Sequence, residues 1–257
     1  MRALFTCARA YQRFIISGSL ICLLAFVAIG QKPPRSPSDT VREFYKAMRE
    51  KKFREAFDMS IYKPAIDNLK TQEFEDLRPD FEKMSAAIPL TVNITGEQIS
   101  GDAATVFVKV KEGDAPETSE PVTLMRVGGM WIIGDKENLD IVKKAGKQFF
   151  FNARIDTHHD EVQAMLTRIS LAQLFYSQQH NGLFADLATL ITAGLVPKDL
   201  EGVESTGYRF HINTVDGGKS WNAAAEPAQY GRTGKLSFYM DAAGVRSGDK
   251  AGKPLTP

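Results

Sequence analysis

The chain has 257 residues, of which 43% are hydrophobic and 25% charged, and its formal net charge is +1. This length allows two domains of ordinary size, and the composition is that of a globular protein. A net charge close to zero, without a long lysine or arginine stripe, argues against nucleic acid as a partner.

The N-terminus carries the signal of an exported protein. Three arginines precede an uncharged apolar run at residues 14–30, FIISGSLICLLAFVAIG, and a proline-containing linker, QKPPRSP, follows it. Residues 1–35 are therefore predicted to be a signal peptide or membrane anchor plus linker. The arginines favour a cytoplasmic N-terminus and export of the rest. We expect a bacterial envelope protein on the periplasmic or outer face, anchored in the inner membrane or released after cleavage near Gly30.

The only cysteines, Cys7 and Cys22, lie in or before this apolar run. The remainder of the chain therefore has no disulfide, no cysteine nucleophile and no thiolate metal site. No nucleophile elbow and no phosphate-binding glycine loop occurs in the sequence either.

Residues 36–136 change from a helical to a strand pattern. Ser36 is a suitable helix cap, and apolar residues follow at helical spacing, with Pro79 expected to bend or split one helix. After Pro89 the pattern alternates with a period of two, and glycine-containing turns divide it into four segments. Helices followed by an antiparallel meander predict an α+β domain whose helices cover one face of the sheet.

The segments DTVREFYKAMREKKFREAFDM and RVGGMWIIGD in this region resemble the nuclear-transport-factor-2-like superfamily, in particular its small bacterial exported members. The resemblance implies a cone of helices and curved sheet, which often encloses a pocket used for catalysis in some members and for binding or assembly in many. Tyr45, Tyr62 and Trp131 are the candidate ligand-lining residues of such a cone, although residues at these spacings more often belong to an ordinary core. No histidine lies between residues 31 and 157, so we expect no catalytic residue.

A bridging helix is predicted over residues 137–153, followed by a second domain at 154–257. A long helix is expected to begin with a cap at Asp156 or Thr157 and to stop near Gly182. Its apolar positions at a 3.6-residue period are Val162, Met165, Leu166, Ile169, Leu171, Ala172 and Phe175.

The segments AQLFYSQQHNGLFADLATL, GLVP, GYRFHI, WNAAAEP and LSFYMDAAGVRS follow in order. They resemble the globular part of type IV pilins and type II secretion pseudopilins, which implies a long helix packed on a small antiparallel sheet. Residues 14–30 contain no glutamate, and a separate domain precedes the long helix, which argues against a true pilin subunit.

Two sequence features invite a metal assignment. His158 and His159 are adjacent and would point about 100° apart on a helix, so we expect a solvated helix start and no metal site. Residues 216–218 and the pair Asp241 and Gly244 have the composition of hairpin turns, with a calcium site as the alternative. We expect no cofactor.

The predicted architecture is α+β throughout, with a signal anchor, a cone-like domain, a bridging helix and a pilin-head-like domain. The predicted function is a non-enzymatic envelope protein that binds protein partners as a binding or scaffold module, with a secretion or pilus-like system as the hypothesis for its setting. Membrane contact through residues 14–30 is expected if they are not cleaved. The alternative is a small-molecule binder, or an enzyme, that uses the cone of the first domain; a deep pocket with a buried carboxylate would favour it.

Overall fold

The computed structural model describes residues 35–88, 91–110, 118–203 and 206–256, so the predicted anchor at residues 14–30 lies outside the described residues. The described part forms helices and two antiparallel four-stranded sheets, which confirms the α+β class. Within these ranges, none of the helices combines the length and the apolar character that a membrane crossing needs.

The first helices are α1 Pro37–Arg49, α2 Phe53–Asp58, α3 Lys63–Asp67 and α4 Thr71–Ala86. Ser36 caps α1, because its side-chain oxygen accepts a hydrogen bond from the backbone N–H of Asp39 at 3.0 Å. Pro79 lies inside α4 without splitting it, contrary to one of the two expectations. Burial of Leu77 and Phe81 on either side of the proline holds this helix against the core.

The first sheet consists of β1 Asn93–Ser100, β2 Ala103–Val110, β3 Thr118–Val127 and β4 Met130–Ile133, paired in that order. The order and approximate bounds agree with the predicted meander. Its inner face buries Val106 and Leu124 against Val41 of α1, so the helix covers the sheet as expected.

Next come α5 Lys136–Ala145 and α6 Phe149–Gln179. The long helix therefore begins at Phe149, and the predicted start at Asp156 or Thr157 is wrong. The reason is tertiary: Phe150 and Phe151 are buried among side chains of the first helices, which stabilises an earlier helical start. As a result α6 continues without a break through residues 153 and 154, the predicted limit between two domains.

Aromatic rings fix the start of α6 to the first helices. The ring centroid of Phe81 in α4 lies 5.0 Å from that of Phe57 in α2 and 5.0 Å from that of Phe150 in α6. Both pairs are edge-on, which is the favoured geometry for aromatic contacts. The core of the first region is thus completed by the helix that continues into the second.

The second sheet consists of β5 Tyr208–Val215, β6 Ser220–Pro227, β7 Leu236–Asp241 and β8 Gly244–Asp249, paired in that order, and α7 spans Leu187–Thr192. The middle of α6 packs on this sheet. Val162, Leu166 and Ile169 share a buried cluster with Phe210 and Phe238.

The segment YSQQHNGLFADL, residues 176–187, contains the end of α6 and the turn that follows it. Gly182 has a φ of +81°, and its N–H donates to the carbonyl of Ser177 at 2.8 Å, so the helix stops near the predicted residue. The chain then folds back, and the buried amide of Gln173 contacts both backbone groups of Ala185, at 2.9 Å and 2.5 Å. These paired hydrogen bonds satisfy a buried polar side chain and fix the turn to one side of the helix.

Candidate interaction surface

The three predicted ligand-lining residues belong to packed clusters. Tyr45 and Trp131 pack in the cluster between α1 and the first sheet, and the guanidinium of Arg126 lies 4.4 Å from the Trp131 ring centroid. Tyr62 lies in the aromatic cluster, with its ring edge-on to Phe57 at 5.9 Å. Burial raises the pKa of both tyrosines. The structure therefore brings Tyr45 and Trp131 together and places Tyr62 in a cluster that Tyr45 also contacts.

Two surface depressions in the described ranges lie elsewhere. One, of about 420 Å³, is lined by residues 98–100 and 103–105 at the β1–β2 turn. The other, of about 290 Å³, lies where α2 and α4 begin, beside Phe74 and Arg78. Neither includes Tyr45, Tyr62 or Trp131 in its lining.

The two adjacent histidines do not form a solvated helix start, because they lie within α6 and contact a loop of the second sheet. His158 Nδ1 lies 2.8 Å from the carbonyl oxygen of Thr233, and His159 Nε2 lies 3.2 Å from the backbone nitrogen of Lys235. Among the residues the structure describes, no cluster of three or more histidine, cysteine, aspartate or glutamate side chains is placed to hold a metal ion.

Glu226 on β6 is a buried carboxylate in the second region. One of its oxygens lies 2.8 Å from His211 Nε2, and the other, Oε2, has no hydrogen-bond partner in the described part of the chain. Because this free oxygen is itself buried, a ligand cannot reach it without movement of its neighbours. The arrangement therefore does not form an open binding site.

The most conspicuous exposed feature is on the C-terminal half of α6. Leu171, Leu174 and Phe175 are 63%, 55% and 51% exposed, and their spacing of three and four residues places them side by side on one helix face. We call these three residues the α6 stripe. None of them belongs to the described hydrophobic clusters, whereas Ile169 and Ala172 on the other side are buried.

Sequence periodicity alone assigned Leu171 and Phe175 to the same apolar set as the core residues. The structure separates them, because a step of two residues turns a helix by about 200°. Leu171 follows buried Ile169 by two positions, and Phe175 follows buried Gln173 by two. The sequence does contain a signal for this exposed stripe, because apolar residues occur on both sides of the helix. A surface helix normally carries only one apolar face.

The α6 stripe is held on a rigid support. The opposite side of the helix is fixed to the second sheet by Leu166 and Ile169, and to the following turn by Gln173. An apolar stripe on a fixed helix suits recognition of another apolar helix or groove, a common mode of protein recognition. It carries no group for acid–base or nucleophilic chemistry.

A proposal for the function of this chain has to rest on these structural features, because comparison with known proteins assigns no family. No protein-family model matches the chain, and no curated protein and no solved structure matches it either.

Proposed function

We propose that this protein is a non-enzymatic, exported protein of the cell envelope that binds another protein through the α6 stripe. The observation that supports this function is the exposure of three adjacent large apolar side chains on one helix. Single exposed apolar residues are normal on protein surfaces, but contiguous patches mark interaction sites. Covering such a patch removes apolar surface from water, which contributes about 25 cal/mol per Å² before the entropic cost of association is subtracted.

The partner in this proposal is an amphipathic helix of a separate envelope protein. A helix can cover Leu171, Leu174 and Phe175 together by aligning its own apolar face with them. Stable interfaces take about 20–30 residues from each side and the stripe offers three, so we expect this contact to be a weak or transient one.

The sequence resemblances support the setting of this binding module. The pilin-like segments fall within residues 154–257, which contain most of α6 and the whole second sheet, and this favours a partner in a secretion or pilus-like system. Residues 36–136, resembling the nuclear-transport-factor-2-like superfamily, and the segment 137–153 would connect this region to the predicted signal or anchor. This segment was predicted as a single bridging helix, and the structure divides it between α5 and the start of α6. These assignments rest on resemblance and therefore remain proposals.

The test is site-specific photo-crosslinking of the full-length protein in cells. A photoreactive residue replaces Phe175, and the matched control replaces Met130, which is 66% exposed at the β3–β4 turn. We expect one reproducible protein adduct at position 175 that is missing at position 130. The double substitution Leu171→Ser and Leu174→Ser should lower the yield about tenfold, if loss of the two side chains weakens binding by about 1.4 kcal/mol.

Ile141→Ser is the matched control for the double substitution, because Ile141 is an equally exposed apolar residue on α5. It should leave the adduct at position 175 unchanged. The proposal is wrong if position 175 gives no adduct above position 130. An adduct with a second copy of this chain would replace the separate partner with self-association.

A further inference from the structure

Residues 228–235, here called the clasp loop, connect β6 to β7 and contact two helices. Thr233 and Lys235 contact the histidines of α6, and Arg232 reaches Glu73 of α4. The loop therefore joins the second sheet to both the long helix and the first helical region.

The contact of His159 defines its protonation state. Its Nε2 lies 3.2 Å from the backbone nitrogen of Lys235 and 3.2 Å from that of Leu236. Backbone N–H groups can only donate, so Nε2 must accept both hydrogen bonds, and the ring must be neutral with its proton on Nδ1. A proton on Nε2 would remove the acceptor and place N–H groups against each other.

His158 behaves differently. Its Nδ1 lies 2.8 Å from the carbonyl oxygen of Thr233, which can only accept, so Nδ1 donates. Protonation of the other ring nitrogen leaves this donor in place. Of the two histidines, only His159 makes a contact with the clasp loop that is incompatible with the imidazolium form.

Arg232 links the clasp loop to the first region. Its Nη2 donates to Glu73 Oε1 at 2.8 Å, and its guanidinium lies 4.0 Å from the ring centroid of Phe151. Lys147 Nζ shares the same carboxylate oxygen at 3.3 Å. Displacement of the clasp loop would therefore disturb charged and aromatic contacts at the start of α6.

We propose that His159 is a pH-sensitive contact, and that its protonation releases the junction of the clasp loop and β7, at Lys235 and Leu236, from α6 while His158 still holds Thr233. The loosened junction in turn weakens the link between Arg232 and α4. This is a regulatory device of the fold and acts independently of any partner on the α6 stripe. Mild acid would therefore loosen one end of the clasp loop.

The surroundings of His159 favour the neutral ring at neutral pH. Partial burial is the main cause that lowers its pKa below the ordinary value of 6.5. Asp156 and Asp160 on α6 oppose this shift, whereas His158 and Lys235 reinforce it.

On the side of the second sheet, the ring of His159 lies edge-on to Tyr208 and Phe238, with centroids 6.4 Å and 5.9 Å away. The Tyr208 hydroxyl donates to the carbonyl of Leu236 at 2.9 Å, so it adds no charge to the site. Because the pKa of His159 is lower in the folded than in the unfolded chain, its contact stabilises the fold above about pH 6.5. That stability is lost as the pH falls below this value.

The test is hydrogen–deuterium exchange of the full-length protein at pH 7.4 and pH 5.0, with rates corrected for the intrinsic effect of pH. In the wild type, the amides of Lys235 and Leu236 should lose about tenfold in protection at the lower pH, which corresponds to about 1.4 kcal/mol of opening free energy. In His159→Gln, the amide oxygen can accept from the same N–H groups without titrating. Its protection should therefore be equal at the two pH values.

His180→Gln is the matched control, because His180 follows the same helix and stacks on Tyr176 away from the clasp loop. It should retain the wild-type pH dependence. Equal wild-type protection at both pH values would overturn the proposal, as would a loss in His159→Gln equal to that of the wild type. If His159→Gln does not fold, nitrogen chemical shifts of wild-type His159 decide: a proton on Nε2 at pH 7.4 contradicts the proposed contact.

Discussion

The two ends of α6 lie in different surroundings. At the start, Phe150, Phe151 and Ile155 are buried, and the side chain of Arg154 is only 9% exposed between two aspartates of α4. Near the end, only one side of the helix is buried, and the α6 stripe faces outward. The same helix thus completes a core at one end and presents an apolar surface at the other.

This difference separates residues that stabilise the fold from residues available for binding. A buried phenylalanine loses both apolar burial and packing contacts when it is truncated. A half-exposed phenylalanine such as Phe175 contributes less to folding, because about half of its surface stays in water in the folded state. Packing among the residues that the structure describes does not explain the apolar character of the α6 stripe, and partner binding is the explanation we propose.

The strongest test of this comparison pairs two phenylalanines of α6. Phe151→Ala removes a fully buried ring and should lower the free energy of unfolding by about 3–5 kcal/mol. Phe175→Ala removes a half-exposed ring and should lower it by about 1 kcal/mol, since full burial of a phenylalanine is worth about 1.5–3 kcal/mol. Urea unfolding of the two full-length variants, followed by circular dichroism, measures both. Similar losses in the two variants would mean that the end of α6 is as closely packed as its start.

The sequence was sufficient for the order of the helices and strands, because the apolar period changes sharply near Pro89 and turn glycines separate the strands. It also placed the stop of α6 near Gly182, since the signal for a helix end is local. The start of α6 was misplaced by seven residues or more, from Asp156 to Phe149. The contacts that bury Phe150 and Phe151 come from helices far away in the sequence, which no local pattern contains.

For the candidate sites too, the sequence pattern could not show which residues meet in the folded chain. Tyr45, Tyr62 and Trp131 were selected by residue type and resemblance, and the structure places all three in packed clusters. The contact of His159 joins it to a backbone N–H 76 residues later, so its neutral state depends on tertiary structure. The exposure of Leu171 likewise depends on which helix face meets the second sheet.

A smaller loss of stability is expected from substitution of Arg154, whose ion pairs with α4 hold the start of α6 in place. Its guanidinium contacts Asp80 at 2.9 Å and Asp76 at 3.1 Å. Arg154→Met keeps the bulk of the stem but leaves both carboxylates unpaired. Breaking a fully buried pair costs about 3–5 kcal/mol, and because these carboxylates are about a third exposed we expect a loss of about 2 kcal/mol.

Arg78→Met is the matched control, since Arg78 pairs with Glu75 on the exposed surface of the same helix α4. It should leave the urea midpoint unchanged, because water already screens that pair. A loss at Arg78 as large as that at Arg154 would show that burial does not distinguish the two arginines.

The smallest expected effect is the loss of stability in acid that comes from the contact between Glu73 of α4 and Arg232 of the clasp loop. Hydrogen bonds from Arg232 and from the backbone of Lys70 lower the pKa of this carboxyl to about 2, with Lys147 adding to the shift. Since the pKa is lower in the folded chain, this contact stabilises the fold above about pH 4.5 and is lost as the pH falls towards 2. Glu73→Gln should therefore unfold more easily at pH 7 and show a flatter decline of the urea midpoint between pH 5 and pH 3.

The pH ranges of Glu73 and His159 differ, which makes the two contacts separable in one set of measurements. Glu73→Gln should keep the loss of stability between pH 7 and pH 5, whereas His159→Gln should remove that loss and keep the one below pH 4.5. Glu55→Gln, at an exposed carboxylate of α2, should retain both. If Glu73→Gln and His159→Gln alter the stability over the same pH range, their two contacts with the clasp loop are coupled and form a single unit. In that case the contacts of the clasp loop with α6 and with α4 open together, and not one at pH 7 to 5 and the other below pH 4.5.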